Sequence, residues 1–144
     1  MMSALLAPQA NGTNAAGEIS SDRMAAAGLR AFARIAQAWG LSVEEQLALL
    51  GQPPRSTFFA WRKHPEKAAL SRDTLERLSN ILGIYKSLQI LLPDPAAADS
   101  WVRRPNTASL FGGGTALARM LAGNVSDLNL VRRYLDSVRG GGWS

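Results

Sequence analysis

The sequence predicts an all-α chain of six or seven helices, and three observations carry that prediction. Apolar residues recur every three or four positions in one segment after another, and no stretch alternates convincingly as a strand would. The segments open on Ser or Thr and close on Gly or Pro, the residues that cap and stop helices. Apolar residues also make up 47% of the 144 positions, enough for one domain or for two small helical units sharing a core.

In chain order, residues 1–20 are rich in Ala, Gly, Asn and Thr and read as a disordered N-terminal arm. A first helix follows Ser20 and Ser21 and ends at Gly40, with Leu29, Phe32, Ile35, Ala36 and Trp39 on one face. Ser42 and Glu45 have the spacing of a capping box and open a second helix carrying Leu47, Leu49 and Leu50. In QPPRSTFFAWRKHP, Pro54 suits a first helical turn and His64–Pro65 a stop. Phe58 and Trp61 then share one face, with Arg55, Phe59, Arg62 and Lys63 opposite. Ser71 starts a fourth helix, which Gly83 is expected to break or bend, and the Ile84–Leu92 face is an apolar candidate for a dimer seam. Pro93 and Pro95 mark a boundary between units at 21–92 and 93–144. Beyond it come a short helix near Trp101, an RRPN turn, a helix capped by Thr115, and a last helix capped by Ser126 with Val131, Tyr134, Leu135 and Val138 as its buried stripe.

Composition excludes several classes of function. With no cysteine there is neither a disulfide framework nor a thiolate metal site. A single histidine, His64, cannot build a metal site or a convincing catalytic pair; it reads as a helix cap or a phosphate contact. Asp94 and Asp99 are not spaced as an acid/base pair, and Gly112–Gly114 lacks the lysine of a nucleotide-binding loop, so it reads as a turn. No catalytic residue, metal or cofactor is expected. No apolar run reaches the roughly 20 residues of a membrane helix, and the opening lacks the basic start of a signal peptide, so no membrane partner is expected and the cytoplasm is the expected location.

The net charge of +5 is unevenly spread. Between Arg55 and Arg72, five cations face Glu66 alone, the footprint of a small nucleic-acid-binding unit. Two short helices joined by a glycine-containing turn, with this charge on the second, have the layout of a helix-turn-helix. Arg55, Ser56, Thr57, Phe59, Arg62 and Lys63 are the candidate DNA-binding residues: hydroxyls for phosphates or base edges, guanidinium forks for guanine, a phenyl ring for a thymine methyl. Three to five neutralised phosphates imply a log–log salt slope of roughly −3 to −5 per protomer.

Four separated blocks, RSTFFAWRK, LSRDTLERLSNILGIYKSLQILLPD, WVRRPNTASLFGGGTALARMLAG and DLNLVRRYLDSVRGGGW, occur in an order that resembles the Xre/MbcA/ParS antitoxin family over about residues 25–143. The resemblance implies an Xre-like helix-turn-helix domain followed by a small helical toxin-binding domain. It further implies a non-enzymatic antitoxin of a type II toxin–antitoxin system. Its partners would be a RES-domain, NAD-consuming toxin and operator DNA, met as a homodimer within a larger complex. Trp101, Arg103, Arg104 and Asn106 fall in the toxin-binding block. Arg139, Gly140, Gly141, Gly142, Trp143 and Ser144 match the tail that, in the family, blocks the toxin's active-site cleft. Glycines would let the backbone run into a narrow cleft, Trp143 would stack where a ring of NAD sits, and the carboxylate at Ser144 would mimic an anionic group. One departure is Ala116, where the family commonly has Pro. A helix-turn-helix regulator whose C-terminal unit only dimerises, and a pure protein-interaction module, are the competing readings.

Overall fold

The computed structural model describes residues 22–141. The expected N-terminal arm over residues 1–20, and Gly142, Trp143 and Ser144 of the tail, lie outside the described residues.

Helix α1 covers residues 22–39 and buries Leu29, Phe32, Ile35, Ala36 and Trp39, the stripe read from the sequence. It closes in a Schellman turn: the Gly40 N–H donates to Gln37 O (3.1 Å) and the Leu41 N–H to Ala36 O (2.9 Å). Helix α2, Val43–Leu49, opens on the expected capping box, with Ser42 Oγ accepting from Glu45 N–H and Glu45 Oε1 from Ser42 N–H. Helix α3, Arg55–Lys63, follows a short turn and leads into a 3-10 turn at Pro65–Lys67. Helix α4, Arg72–Leu91, is capped by Ser71, whose Oγ accepts from Thr74 N–H.

Gly83 neither breaks nor bends α4, which runs unbroken through it. Its role is close approach. A side chain there would collide with the Arg132 guanidinium, which lies across Gly83 and donates to Ser79 O (3.1 Å) and Oγ (3.3 Å).

The second half is built on α4. Asp94 caps α5, Pro95–Ser100, and a 3-10 turn at Trp101–Arg103 follows. The RRPN turn is tied down by an isolated bridge between Pro105 and Thr115. A 3-10 turn at Ser109–Phe111 then reverses through Gly112 and Gly113, at φ +55° and +85°, supporting the plain turn reading of the glycine run. Thr115 caps α6, Ala116–Met120, and α7 spans Val125–Gly141, packed lengthwise on α4. Phe111 receives the rings of Trp101 and Tyr134 edge-on, at 5.9 Å and 5.4 Å.

One buried cluster runs from Leu29 to Leu135, so the helices before and after Pro93 share a core. Ile84 and Leu88 belong to it, fully buried, which removes them from any dimer seam; Ile90 is the apolar residue of that run left exposed. Two further expectations are corrected. Ser126 lies inside α7, where Asp127 Oδ2 reaches back to Asn124 N–H in place of a serine cap. Val131 and Leu135 are buried as expected, but Val138 is 47% exposed at the rim of a groove beside Leu91 and Leu92.

Candidate functional site

Helices α2 and α3 are joined by a turn held by geometry and packing. Gly51 (φ +89°) and Gln52 (φ +61°) both adopt left-handed backbone, and their N–H groups close α2 on Ala48 O (3.2 Å) and Leu47 O (2.7 Å). Behind the turn lies the Asp73–Arg77 pair of α4, at 2.8 Å, with the Arg77 side chain buried. A methyl on Gly51 would sit 2.9 Å from Arg77 Nε and 3.1 Å from Asp73 Oδ2, so only glycine fits there. The angle at which α3 is presented thus depends on α4, a dependence that sequence spacing could not reveal.

Helix α3 buries Phe58, half-buries Trp61 and Thr57, and exposes the rest. At about 100° per residue, the positions opposite that buried side are Ser56, Phe59, Ala60 and Lys63. Phe59 is 47% exposed, uncommon for a phenyl ring with core within reach. Arg55 and Arg62 sit on the flank toward α2 instead. Arg55 Nη1 donates to Glu44 Oε2 at 3.1 Å and holds the Glu44 carboxyl below the usual carboxylate range. Arg62 donates to Gln46 Oε1 and lies over the Phe58 ring at 5.2 Å. The single face read from i, i+4, i+7 and i+8 spacing therefore divides into an outward row and a flank. Ala60, which the sequence reading passed over, joins the outward row. A full helical wheel through Phe58 and Trp61 would have found it.

Pro54 caps α3 without a side-chain hydrogen bond, so among the described residues no side chain caps the first amides of the helix beside the exposed Ser56. Such an end attracts phosphate. His64 closes the helix, with Nδ1 3.3 Å from Glu66 Oε2. Also missed was the outer ridge of α1, where Arg23, Arg30, Arg34 and Gln37 are exposed. Counting charge only within one short segment concealed it.

The second candidate surface is less uniform than its sequence block suggested. Arg103 turns inward: Nε donates to Trp39 O (2.8 Å), and Nη2 to Gly40 O (2.9 Å) and Glu45 Oε1 (2.9 Å). It caps α1 and locks α2 to the C-terminal half. Burial pushes the Glu45 carboxyl up, but the Ser42 N–H and Arg103 outweigh it and hold it below its ordinary value. Asn106 is a turn residue, its Oδ1 accepting from Ala108 N–H at 2.9 Å and its N–H donating to Gly114 O. Trp101 is half-buried, and Arg104 is exposed with one bond to Ala97 O at 3.1 Å. Trp101 also borders an apolar groove of about 220 Å³ formed with Leu91, Leu92, Tyr134 and the exposed Val138. Of the tail, Arg139, Gly140 and Gly141 are helical and extend α7 from that groove; the Arg139 guanidinium reaches Ser87 Oγ at 3.4 Å.

Among the described residues no His, Asp and Glu side chains cluster as metal ligands, and no helix is long and apolar enough to cross a membrane.

A helix-turn-helix sharing its core with a small helical C-terminal unit defines an all-α chain of two parts. The comparisons agree with both halves. Residues 18–83 match the antitoxin Xre-like helix-turn-helix domain, and residues 87–141 match the antitoxin Xre/MbcA/ParS C-terminal toxin-binding domain. The chain belongs to the Xre/MbcA/ParS antitoxin family. It is also 52% identical over 113 residues to a protein of Sinorhizobium fredii (strain NBRC 101917 / NGR234) named "Uncharacterized protein y4oB", an alignment covering 78% of this chain and 84% of that protein.

Proposed function

We propose that this antitoxin neutralises a RES-domain, NAD-consuming toxin in a type II system and represses its own transcription through α3, acting in the cytoplasm as a homodimer and without catalysis of its own. The observation that carries the DNA half is the outward row of α3. Ser56, Phe59, Ala60 and Lys63 stand clear of the core, combining a hydroxyl, apolar surface and a cation where a major groove would meet them. The toxin half is supported by the end of α7. The apolar groove beside Val138 lies one turn before the point where the chain continues toward Trp143, so one partner surface would receive the groove and the tail together.

Co-expression of the neighbouring open reading frame with this chain, full-length or ending at Gly141, tests the toxin half with cellular NAD as the readout. The shorter form keeps α7 whole, so any difference belongs to the last three residues. Protection by the full chain alone identifies the tail as the plug. Equal protection by both forms moves inhibition to the groove, and Val138→Asp is then expected to abolish it. NAD that never falls refutes the toxin assignment.

A further inference from the structure

We propose that the cleft between α1, α2 and α3 is a phosphodiester-binding site in which Arg34 and Arg62 grip one backbone phosphate of the DNA, so that Arg62 fixes register and does not read a base. The inference rests on the DNA-binding reading above and assigns one of its contacts.

The cleft, about 370 Å³, is lined by Arg34, Gln37, Gln46 and Arg62 with Ala33, Ala36 and Leu41, and among the described residues no carboxylate lines it. Two guanidiniums and the Gln37 amide around a concavity form a donor set for a tetrahedral oxyanion, while the Gln46 amide is spent on Leu41 O and on Arg62. Arg62 is already positioned for this role. Gln46, itself buried, is anchored through Nε2 to Leu41 O at 3.2 Å and presents Oε1 to the Arg62 guanidinium, while the Phe58 ring supports that guanidinium from one side. Held on this flank, Arg62 is turned away from the row of Ser56, Phe59, Ala60 and Lys63 that would face base edges. Its remaining N–H donors are left for an anion.

Arg34 supplies the opposite rim. It is exposed, and among the described residues it forms no ion pair; Arg30, one turn earlier on the same ridge, likewise forms none. Two arginines lining one cleft without an acidic partner repel each other, and an anion between them relieves that repulsion. The cleft adjoins α3 on one side and continues into the α1 ridge on the other, which suits a backbone strand leaving the groove that α3 occupies.

The test is fluorescence anisotropy across a KCl series with the full chain. It uses two duplexes, one from upstream of this chain's own coding sequence and one of scrambled sequence. Arg34→Gln and Arg62→Gln are each expected to lower the log–log salt slope by about 1 and to weaken both duplexes by the same factor, roughly five-fold near 0.15 M salt. If Arg62→Gln weakens only the upstream duplex, it reads a base and the proposal falls. An unchanged slope in Arg34→Gln also overturns it, and because the Arg34 side chain is exposed, that variant remains decisive even if Arg62→Gln unfolds. Binding that responds to Lys63→Ala but not to Arg34→Gln sinks the clamp alone. A wild-type chain that binds neither duplex, with or without its toxin, sinks the DNA reading and the clamp with it.

Discussion

The arginines on the outer ridge of α1 and those paired within the fold carry the same charge and the same donors, yet their surroundings give them opposite work. Arg30 and Arg34 are exposed and make no ion pair among the described residues. Arg77, Arg103, Arg119 and Arg132 are engaged by other parts of the fold: the buried Arg77 with Asp73 behind the α2–α3 turn, and the partly exposed Arg103 with the end of α1, Arg119 with the buried Asp127 at 3.0 Å, and Arg132 across Gly83 with Ser79. A guanidinium with its donors on carbonyls and carboxylates holds structure together; one without them remains a magnet for anions. Net charge counts both groups alike, so it locates a basic protein but not its basic surface.

Breaking the paired group is expected to cost stability and leave the charge of the outer ridge intact. The largest effect belongs to Gly51→Ala. Left-handed backbone costs an L-residue about 1–2 kcal/mol, and the new methyl must also displace the Asp73–Arg77 pair. A loss of about 3 kcal/mol, read as a Tm lower by roughly 10 °C, is expected. Arg103→Ala removes the bonds to Trp39 O, Gly40 O and Glu45 together, for about 2 kcal/mol by urea denaturation, the partly exposed Glu45 pair being the lesser part. Lys63→Ala sharpens the contrast from the other side. It is expected to lower the salt slope of DNA binding by about 1 while leaving Tm unchanged. Arg30→Gln should shift stability by no more than about 0.5 kcal/mol, and a larger drop would mean that the ridge is structural after all.

The smallest effect concerns pH. The Glu45 carboxyl is held below its ordinary value of 4.5 in the fold, so its ionised form favours folding above that pH, and the contribution is lost as pH falls through the lowered value. Glu45→Gln is therefore expected to flatten the decline in stability below about pH 4.5. An unchanged acid limb would show that Arg103 and Ser42 do not favour the charged form.

Much of the architecture was legible because it is local. The Ser42–Glu45 box, the Ser71 and Thr115 caps and the α1 stripe depend on residues within four positions of one another, where helix geometry alone decides the neighbours. Gly83 was misread because its partner, Arg132, is distant in sequence, and a glycine that breaks a helix cannot be told by spacing from one that admits a crossing side chain. The candidate DNA face was legible as a helix but not as a face. Removing Arg62 from the outward row required knowing where α2 lay, since Gln46 holds it on the flank. Arg103 and Asn106 stood out in the sequence, but within this chain both are engaged in holding turns and helix ends.

By itself, then, the sequence determined an all-α chain, the caps and stops of most of its helices, and the four blocks by which its antitoxin family is recognised, because these depend on neighbours along the chain. Only the tertiary structure decided that the two halves share one core, that Gly51 and Gly83 are packing glycines, and which arginines find partners within the fold. A charged side chain takes its role from whichever partner lies within about 3 Å, and long-range packing, not spacing, chooses that partner.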